Sequence, residues 1–276
     1  MNTRFPETHP RIPDEEFAGR ITRIQEALDR RGLDALLVFS HEAEPADVRY
    51  LSDYWPSFET AAVLVPARGR ACLLIGPESR VYAASRSLLK DIRQLMDFRE
   101  SSQPEYPGSK LLKWPELLAE FKVRTLGVTG FAMLPAPIYR HLAEALGAGN
   151  VKPDDQIIRD LRMIKSANEL ALHRRAYRMA EAGLEAAIQA AKPGMTEIEL
   201  CAEADYAMLK AGAETTGYPI WCCSGPNSNQ AISRPTHRRL QAGELIQLQF
   251  GARLEGYSSS VGRVLHFGKP SAELQR

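Results

Sequence analysis

Residues 245–265 read "LIQLQFGARLEGYSSSVGRVL". Apolar residues alternate from Leu245 to Phe250, Gly251 interrupts the run, and alternation resumes from Tyr257 to Leu265. The pattern predicts two antiparallel strands joined by a short turn. Gln249 lies on the first arm and Ser260 on the second. What the hairpin can do chemically depends on those two side chains being an amide and a hydroxyl rather than carboxylates.

Outward from the hairpin, strands are predicted to dominate from Thr216 to Phe267. Before them lie two long amphipathic helices. Ser166 and Glu169 form an S-x-x-E capping box that starts the first, and Lys192-Pro193-Gly194 stops it. Thr196 and Glu199 repeat the box for the second, which ends before Gly212. The first half of the chain has a different rhythm. A helix follows Asp14, with apolar positions at Phe17, Ile21, Ile24 and Leu28 and a stop at Gly32. "LDALLVFS" is a short buried strand. "VRYLSDYWPSFETAAVLVPARGRACLLIG" is predicted as a strand, a turn and two more strands, with "ARGR" as the loop between the last two. Helix, strand, helix, strand and helix then alternate to about residue 150, which implies an α/β domain. The expected division is a loose arm over 1–13, broken by Pro6, Pro10 and Pro13, an α/β domain over 14–160, and a second domain over 161–276.

Composition narrows the function classes. The chain has 276 residues, with 35 basic and 34 acidic side chains, so it carries no electrostatic footprint for nucleic acid or an anionic membrane. No apolar run approaches the roughly 20 residues of a membrane span. The first twenty residues are polar and hold three prolines, which is not a signal peptide. Cys72, Cys201, Cys222 and Cys223 show no metal-ligand spacing, and a reduced cytoplasmic compartment fits them best.

Five phrases, in order, carry a resemblance: "MIKSANELALHRRAYRMAEAGLEAA", "KPGMTEIEL", "SGPNSN", "LQAGELIQLQFGARLEGYSSSVGRVL" and "FGKPSAELQR". With them the chain resembles the Xaa-Pro aminopeptidase, prolidase and creatinase superfamily over nearly its whole length, most strongly from Met163 onward. The resemblance implies a small α/β domain followed by a pita-bread catalytic domain, a curved antiparallel sheet backed by helices. It also implies two divalent metals in peptidase members, and cleavage beside proline. The peptidases' first aspartate falls in a phrase like V-D-F-G-A, and here that position is Gln249. Their second, in G-Y-x-S-D-x-T-R, is Ser260. The histidine of P-H-x-x-P-T, which creatinase uses as acid and base, is Ile232. Two cations held close together repel, and bridging carboxylates offset that repulsion; neutral oxygens do so poorly. No metal and no other cofactor is therefore expected. The sequence ends where members normally enter a further long helix, so only the first half of the pita-bread fold, and a fragment of a longer protein, is expected. The apolar faces carrying Leu170, Tyr177, Leu184, Ile188, Leu200 and Met208 would then lack cover.

Each candidate site residue has a bland reading beside its functional one. Gln249 and Ser260 are either strand residues facing a polar cleft or substrate contacts. Arg263, matching a family arginine, is either structural or substrate-binding; Tyr257 and Ile232 complete the set. His237 is a weak candidate base and reads better as an exposed loop residue. His173 reads as solvated, His266 as structural, and Asn227 as a turn residue bonding its own backbone. Tyr54, Trp55, Phe58 and with them Glu59 form either core packing or a rim over the cleft of the same or a partner subunit. The leading functional expectation is a metal-independent hydrolase of a C–N bond in a small molecule or short peptide, acting as a homodimer. A non-catalytic relative that binds a ligand or partner, and an Xaa-Pro peptidase with an unusual site, are the alternatives.

Overall fold

The computed structural model describes residues 10–100, 111–272 and 274. The loose arm expected at the start lies outside the described residues up to residue 9. The chain divides into two compact units, one over Ile12–Ile164 and the other containing Lys165–Arg276.

The first unit is an α/β layer built from α1 (Asp14–Arg31), β1 (Ala35–His41), α2 (Ala46–Ser52), β2 (Thr60–Pro66), β3 (Cys72–Ile75), α3 (Arg80–Arg86) and β4 (Ile92–Leu95), followed by β5 (Leu111–Leu112), α4 (Trp114–Glu120), β6 (Leu126–Thr129), α5 (Ala136–Leu146), β7 (Val151–Pro153) and α6 (Gln156–Met163). Among the described residues the strands make one mixed sheet in the order β5-β4-β3-β2-β1-β6-β7. Both faces are covered, which is why the strands read as continuous apolar runs rather than alternating ones. On β1, Leu36 and Val38 join Ile24, Leu28, Val48 and Ile157 of α1, α2 and α6. The alternate residues Leu37 and Phe39 join Trp114, Leu117, Ile138 and Leu142 of α4 and α5 on the other face.

One prediction is overturned here: "VRYLS" is helix α2, not a strand. Val48 and Tyr50 imitate alternation, but Val48 and Leu51 have the i, i+3 spacing of a helix, and all three are buried. The Ser52 hydroxyl donates to the Val48 carbonyl one turn back (2.7 Å). Asp53, at φ 57°, ends the helix with its N–H on the Arg49 carbonyl (2.9 Å). The two strands and loop that follow are as predicted.

The second unit begins with α7 (Ala167–Ala190) and α8 (Glu197–Lys210), each opened by the capping box expected of it. Then come β8 (Thr215–Thr216), β9 (Trp221–Ser224), β10 (Leu245–Phe250), β11 (Ala252–Leu254), β12 (Tyr257–Ser258) and β13 (Val261–His266). They form two three-stranded antiparallel sheets, β13-β10-β9 and β12-β11-β8. The hairpin is thus real but passes through both sheets. Gly251 is the joint: a Cβ there would sit 1.7 Å from the Ser259 carbonyl oxygen, so only glycine lets the arms come together.

Ile246, Leu248 and Phe250 form the buried face of β10. Phe250 meets α7 and α8 at Gly183, where a Cβ would lie 2.7 Å from Met208 Cγ and 3.3 Å from the Phe250 ring. Leu184, Leu200 and Met208 are buried, contrary to the expectation that they lack cover. Leu170, Tyr177 and Ile188 remain exposed. They are 7 and 11 residues apart, which at about 100° per residue puts them within roughly 20° of one line along α7.

Candidate functional site

Alternation along β10 sends Gln247 and Gln249 to the face opposite Phe250. Antiparallel register sets Trp221 of β9 directly across from Gln249, and Cys223 across from Gln247. The Gln247 side-chain amide donates to Oε1 of Gln249 (3.3 Å). Tyr218 packs edge-on against Trp221, with ring centroids 6.2 Å apart. Its hydroxyl shares a hydrogen bond with Ser260 Oγ at 2.9 Å. Gln249 thus has Trp221 as its cross-strand neighbour and Ser260 has Tyr218 as its hydrogen-bond partner, an aromatic pair that the hairpin sequence does not contain. Trp221, Tyr218 and Gln247 were missed in the sequence. The available signal was "YPIW" leading into a strand that pairs with the hairpin.

The loop carrying Ile232 is tied to the same face. Ser233 bonds Cys223 Sγ (3.4 Å) and donates to Gln230 Oε1 (2.9 Å). Ile232 itself is 86% exposed. His237 lies in an exposed bend beyond it.

This loop and the "SGPNSN" turn are held by one residue that sequence reading passed over. Glu197 opens α8 and is fully buried. Its Oε1 accepts from the Ser224 N–H (2.7 Å) and hydroxyl (2.8 Å), and its Oε2 from the Thr236 N–H (2.8 Å) and hydroxyl (2.7 Å). Asn227 Nδ2 donates to both oxygens at 3.1 Å, so this side chain reaches across to α8 and not to its own backbone as expected. Burial alone would raise the Glu197 pKa; the bonds from Thr236 and Ser224 outweigh it and hold the carboxyl below its ordinary value. Arg238 extends the network to Ser224 Oγ (2.7 Å) and to Glu244.

Other candidate residues fall elsewhere. Arg263 pairs with Leu248 across the sheet, so it belongs to the face opposite Gln249. Its guanidinium donates to the neighbouring Gly262 carbonyl (2.7 Å). Tyr257 packs on the start of α7: its hydroxyl donates to Glu169 (2.9 Å) and its ring meets His173 edge-on. His173, expected to be solvated, is half-buried, with Nδ1 3.2 Å from the Ser258 carbonyl. His266 ends β13, with Nδ1 3.3 Å from the Gly268 carbonyl. In the first unit Tyr54 is fully buried and its hydroxyl donates to Glu59. Burial raises that carboxyl to about 7. Trp55 packs under the Arg49 guanidinium, 5.2 Å from its ring centroid. Phe58 is 77% exposed at φ 60°.

An α/β unit, followed in the chain by two capped helices packed with two small antiparallel sheets that share one hairpin, defines the pita-bread fold class with a creatinase-type leading domain. Residues 20–164 match the Creatinase/Prolidase N-terminal domain, and residues 171–276 match Metallopeptidase family M24. The chain belongs to this creatinase and prolidase superfamily. It is 25% identical over 252 residues to an Xaa-Pro dipeptidase of Pyrococcus horikoshii, covering 91% of this chain and 65% of that protein. It is 26% identical over 265 residues to a creatinase of a Bacillus species, covering 93% of this chain and 61% of that one. The crystal structure of the Pyrococcus horikoshii prolidase superposes with a TM-score of 0.77 at 23% identity, covering 93% of this chain and 67% of that one. The chain thus spans about two thirds of the length of these relatives.

The divalent metals implied by the peptidase members do not fit the residues found here. Gln249 and Ser260 offer neutral oxygens already bonded to Gln247 and Tyr218, and Ile232 offers no donor atom. Among the described residues no three His, Cys, Asp or Glu side chains cluster closely enough to hold a metal ion.

Proposed function

We propose that the Gln249 face recognises a small neutral substrate for hydrolysis of a C–N bond without a divalent metal. The observation that carries this reading is the wiring of the two family ligand positions. Each meets a neutral hydrogen-bonding partner, Gln247 or Tyr218, where a metal ligand would be a bare carboxylate. In this reading the NH₂ of Gln249 donates to a carbonyl or ureido oxygen of the substrate. The Tyr218–Ser260 pair accepts a substrate N–H, and Trp221 is a flat wall. Glu197 holds the surrounding loops in place without touching substrate.

A second reading, binding without turnover, has its own support. The side chains gathered on this face are the amides of Gln247 and Gln249, the hydroxyls of Tyr218 and Ser260, the Trp221 indole and the buried Cys223 thiol, and none of these is a carboxylate or an imidazole. An Xaa-Pro peptidase would need the metal ligands that Gln249, Ser260 and Ile232 replace. We also propose a homodimer, with exposed Phe58 available to a neighbouring subunit, and a reducing cytoplasmic compartment, supported by four buried free cysteines.

The test measures amine release from small ureas, guanidino acids and Xaa-Pro dipeptides, with and without a chelator, alongside elemental analysis of the dialysed protein. Turnover indifferent to chelation, with Gln249→Ala reducing it about tenfold or more, is the expected result. About two retained metals per chain, or turnover abolished by the chelator, overturns the metal-free reading. Saturable binding of a panel member with no turnover replaces it by the second reading.

A further inference from the structure

The first unit contains a cavity of about 450 Å³ between the end of β4, β5, the start of α4, and α5. That is within the roughly 300–1,000 Å³ range of small-molecule sites. It has no part in the Gln249 face, which belongs to the other unit. Its walls are mostly apolar, with Leu95, Leu112, Trp114 and Ala145 contributing, and its polar lining is Asp97, His141, Glu144 and Lys113.

The polar groups are arranged by Asp97. One carboxylate oxygen, Oδ2, accepts from Trp114 Nε1 (2.6 Å) and lies 2.8 Å from His141 Nδ1. A carboxylate only accepts, so Nδ1 carries the proton, and in the neutral ring Nε2 is left as an acceptor. The same oxygen fixes the indole as a rigid wall, which also packs against Phe98 at 5.9 Å between centroids. His141 and Glu144 are three residues apart on α5, hence on one face of it, so two acceptors lie together on one wall. Glu144 is only weakly engaged, 4.0 Å from exposed Arg140. Lys113 brings a cation from the β5–α4 junction. Acceptors on one wall, a cation from another, and an apolar lining with a fixed indole form a dipolar site rather than a purely anionic or cationic one.

We propose that this cavity binds the zwitterion of an apolar or aromatic α-amino acid. The ammonium donates to His141 Nε2 and Glu144, the carboxylate meets Lys113, and the side chain lies against Trp114, Leu95, Leu112 and Ala145. The inference does not rest on the proposed hydrolysis.

The test uses the full chain and three probes of one shape: L-phenylalanine, 3-phenylpropionate, which lacks the ammonium, and 2-phenylethylamine, which lacks the carboxylate. Calorimetry or ligand-observed NMR is expected to rank L-phenylalanine about tenfold or more above either analogue, since each loses a charge-assisted hydrogen bond. Glu144→Gln should narrow the gap to 3-phenylpropionate, and Lys113→Met the gap to 2-phenylethylamine. Both positions are exposed, so the variants should keep the wild-type unfolding midpoint. Ala145→Trp, which fills the cavity, should abolish binding. No saturable binding below about 10 mM, or equal affinity for the three probes, overturns the proposal.

Discussion

Replacing Glu197 by Gln tests whether one buried carboxylate holds the loops around the candidate site. Each carboxylate oxygen accepts from a backbone N–H that cannot rotate away: Ser224 on Oε1 at 2.7 Å and Thr236 on Oε2 at 2.8 Å. A glutamine must aim its own NH₂ at one of them, whichever way the amide is turned. One backbone donor is then left facing a donor, at about 1–3 kcal/mol. The bonds that remain change from charge-assisted to neutral, at about 1 kcal/mol or more in total. A loss of about 3 kcal/mol follows, which corresponds to roughly a hundredfold faster exchange of the Ser224 and Thr236 amides if they exchange through local opening. Amide exchange followed by NMR reads this directly, and amides of residues 12–164 are the internal control. The wild-type carboxyl has its pKa below 4.5 in the fold. Its contribution is therefore complete above the unfolded value and is lost as pH falls through the folded one, so the gap between variant and wild type should close on acidification. An increase in exchange of less than about fivefold at neutral pH, against that hundredfold expectation, would refute the keystone role.

Gly251→Ala places a methyl group on the Ser259 carbonyl and should destabilise the second unit by about 3 kcal/mol or more; a urea midpoint within error of wild type would show that the arms can part there. Glu59 has its pKa raised to about 7 in the fold from 4.5, so its favourable contribution is complete below 4.5 and is lost as pH rises through about 7. Glu59→Gln should remove that pH dependence of the first unit, on the order of 3 kcal/mol across the window; an unchanged stability–pH profile would contradict the assignment. Changing Leu170, Tyr177 and Ile188 of α7 together to Gln should lower apolar-dye binding and self-association without shifting the unfolding midpoint, because all three are exposed. A lowered midpoint would mean that the stripe already packs against something.

Some of this protein was settled by sequence alone, because the signals concerned are local. The capping boxes at Ser166 and Thr196 and the stop at Gly32 are chemistry within one turn of chain, and each helix end was found where expected. The alternation from Leu245 to Phe250 specified a strand with one apolar face, and the phrases around it placed the chain in its superfamily. The same local signal failed at Val48–Ser52, where a short apolar run fits two periods and only burial against the sheet chooses between them.

Tertiary structure decided what lies next to what. That Trp221 stands directly across from Gln249 depends on the pairing of β9 with β10, and no spacing in the sequence states that register. The assignment of Arg263 to the opposite face follows from the same register, since a one-residue difference along a strand reverses the face. Glu197 looks in sequence like one more acid in the first turn of a helix. Its importance comes from donors 27 and 39 residues away that fold onto it, and from its burial, which makes each of those bonds costly to lose.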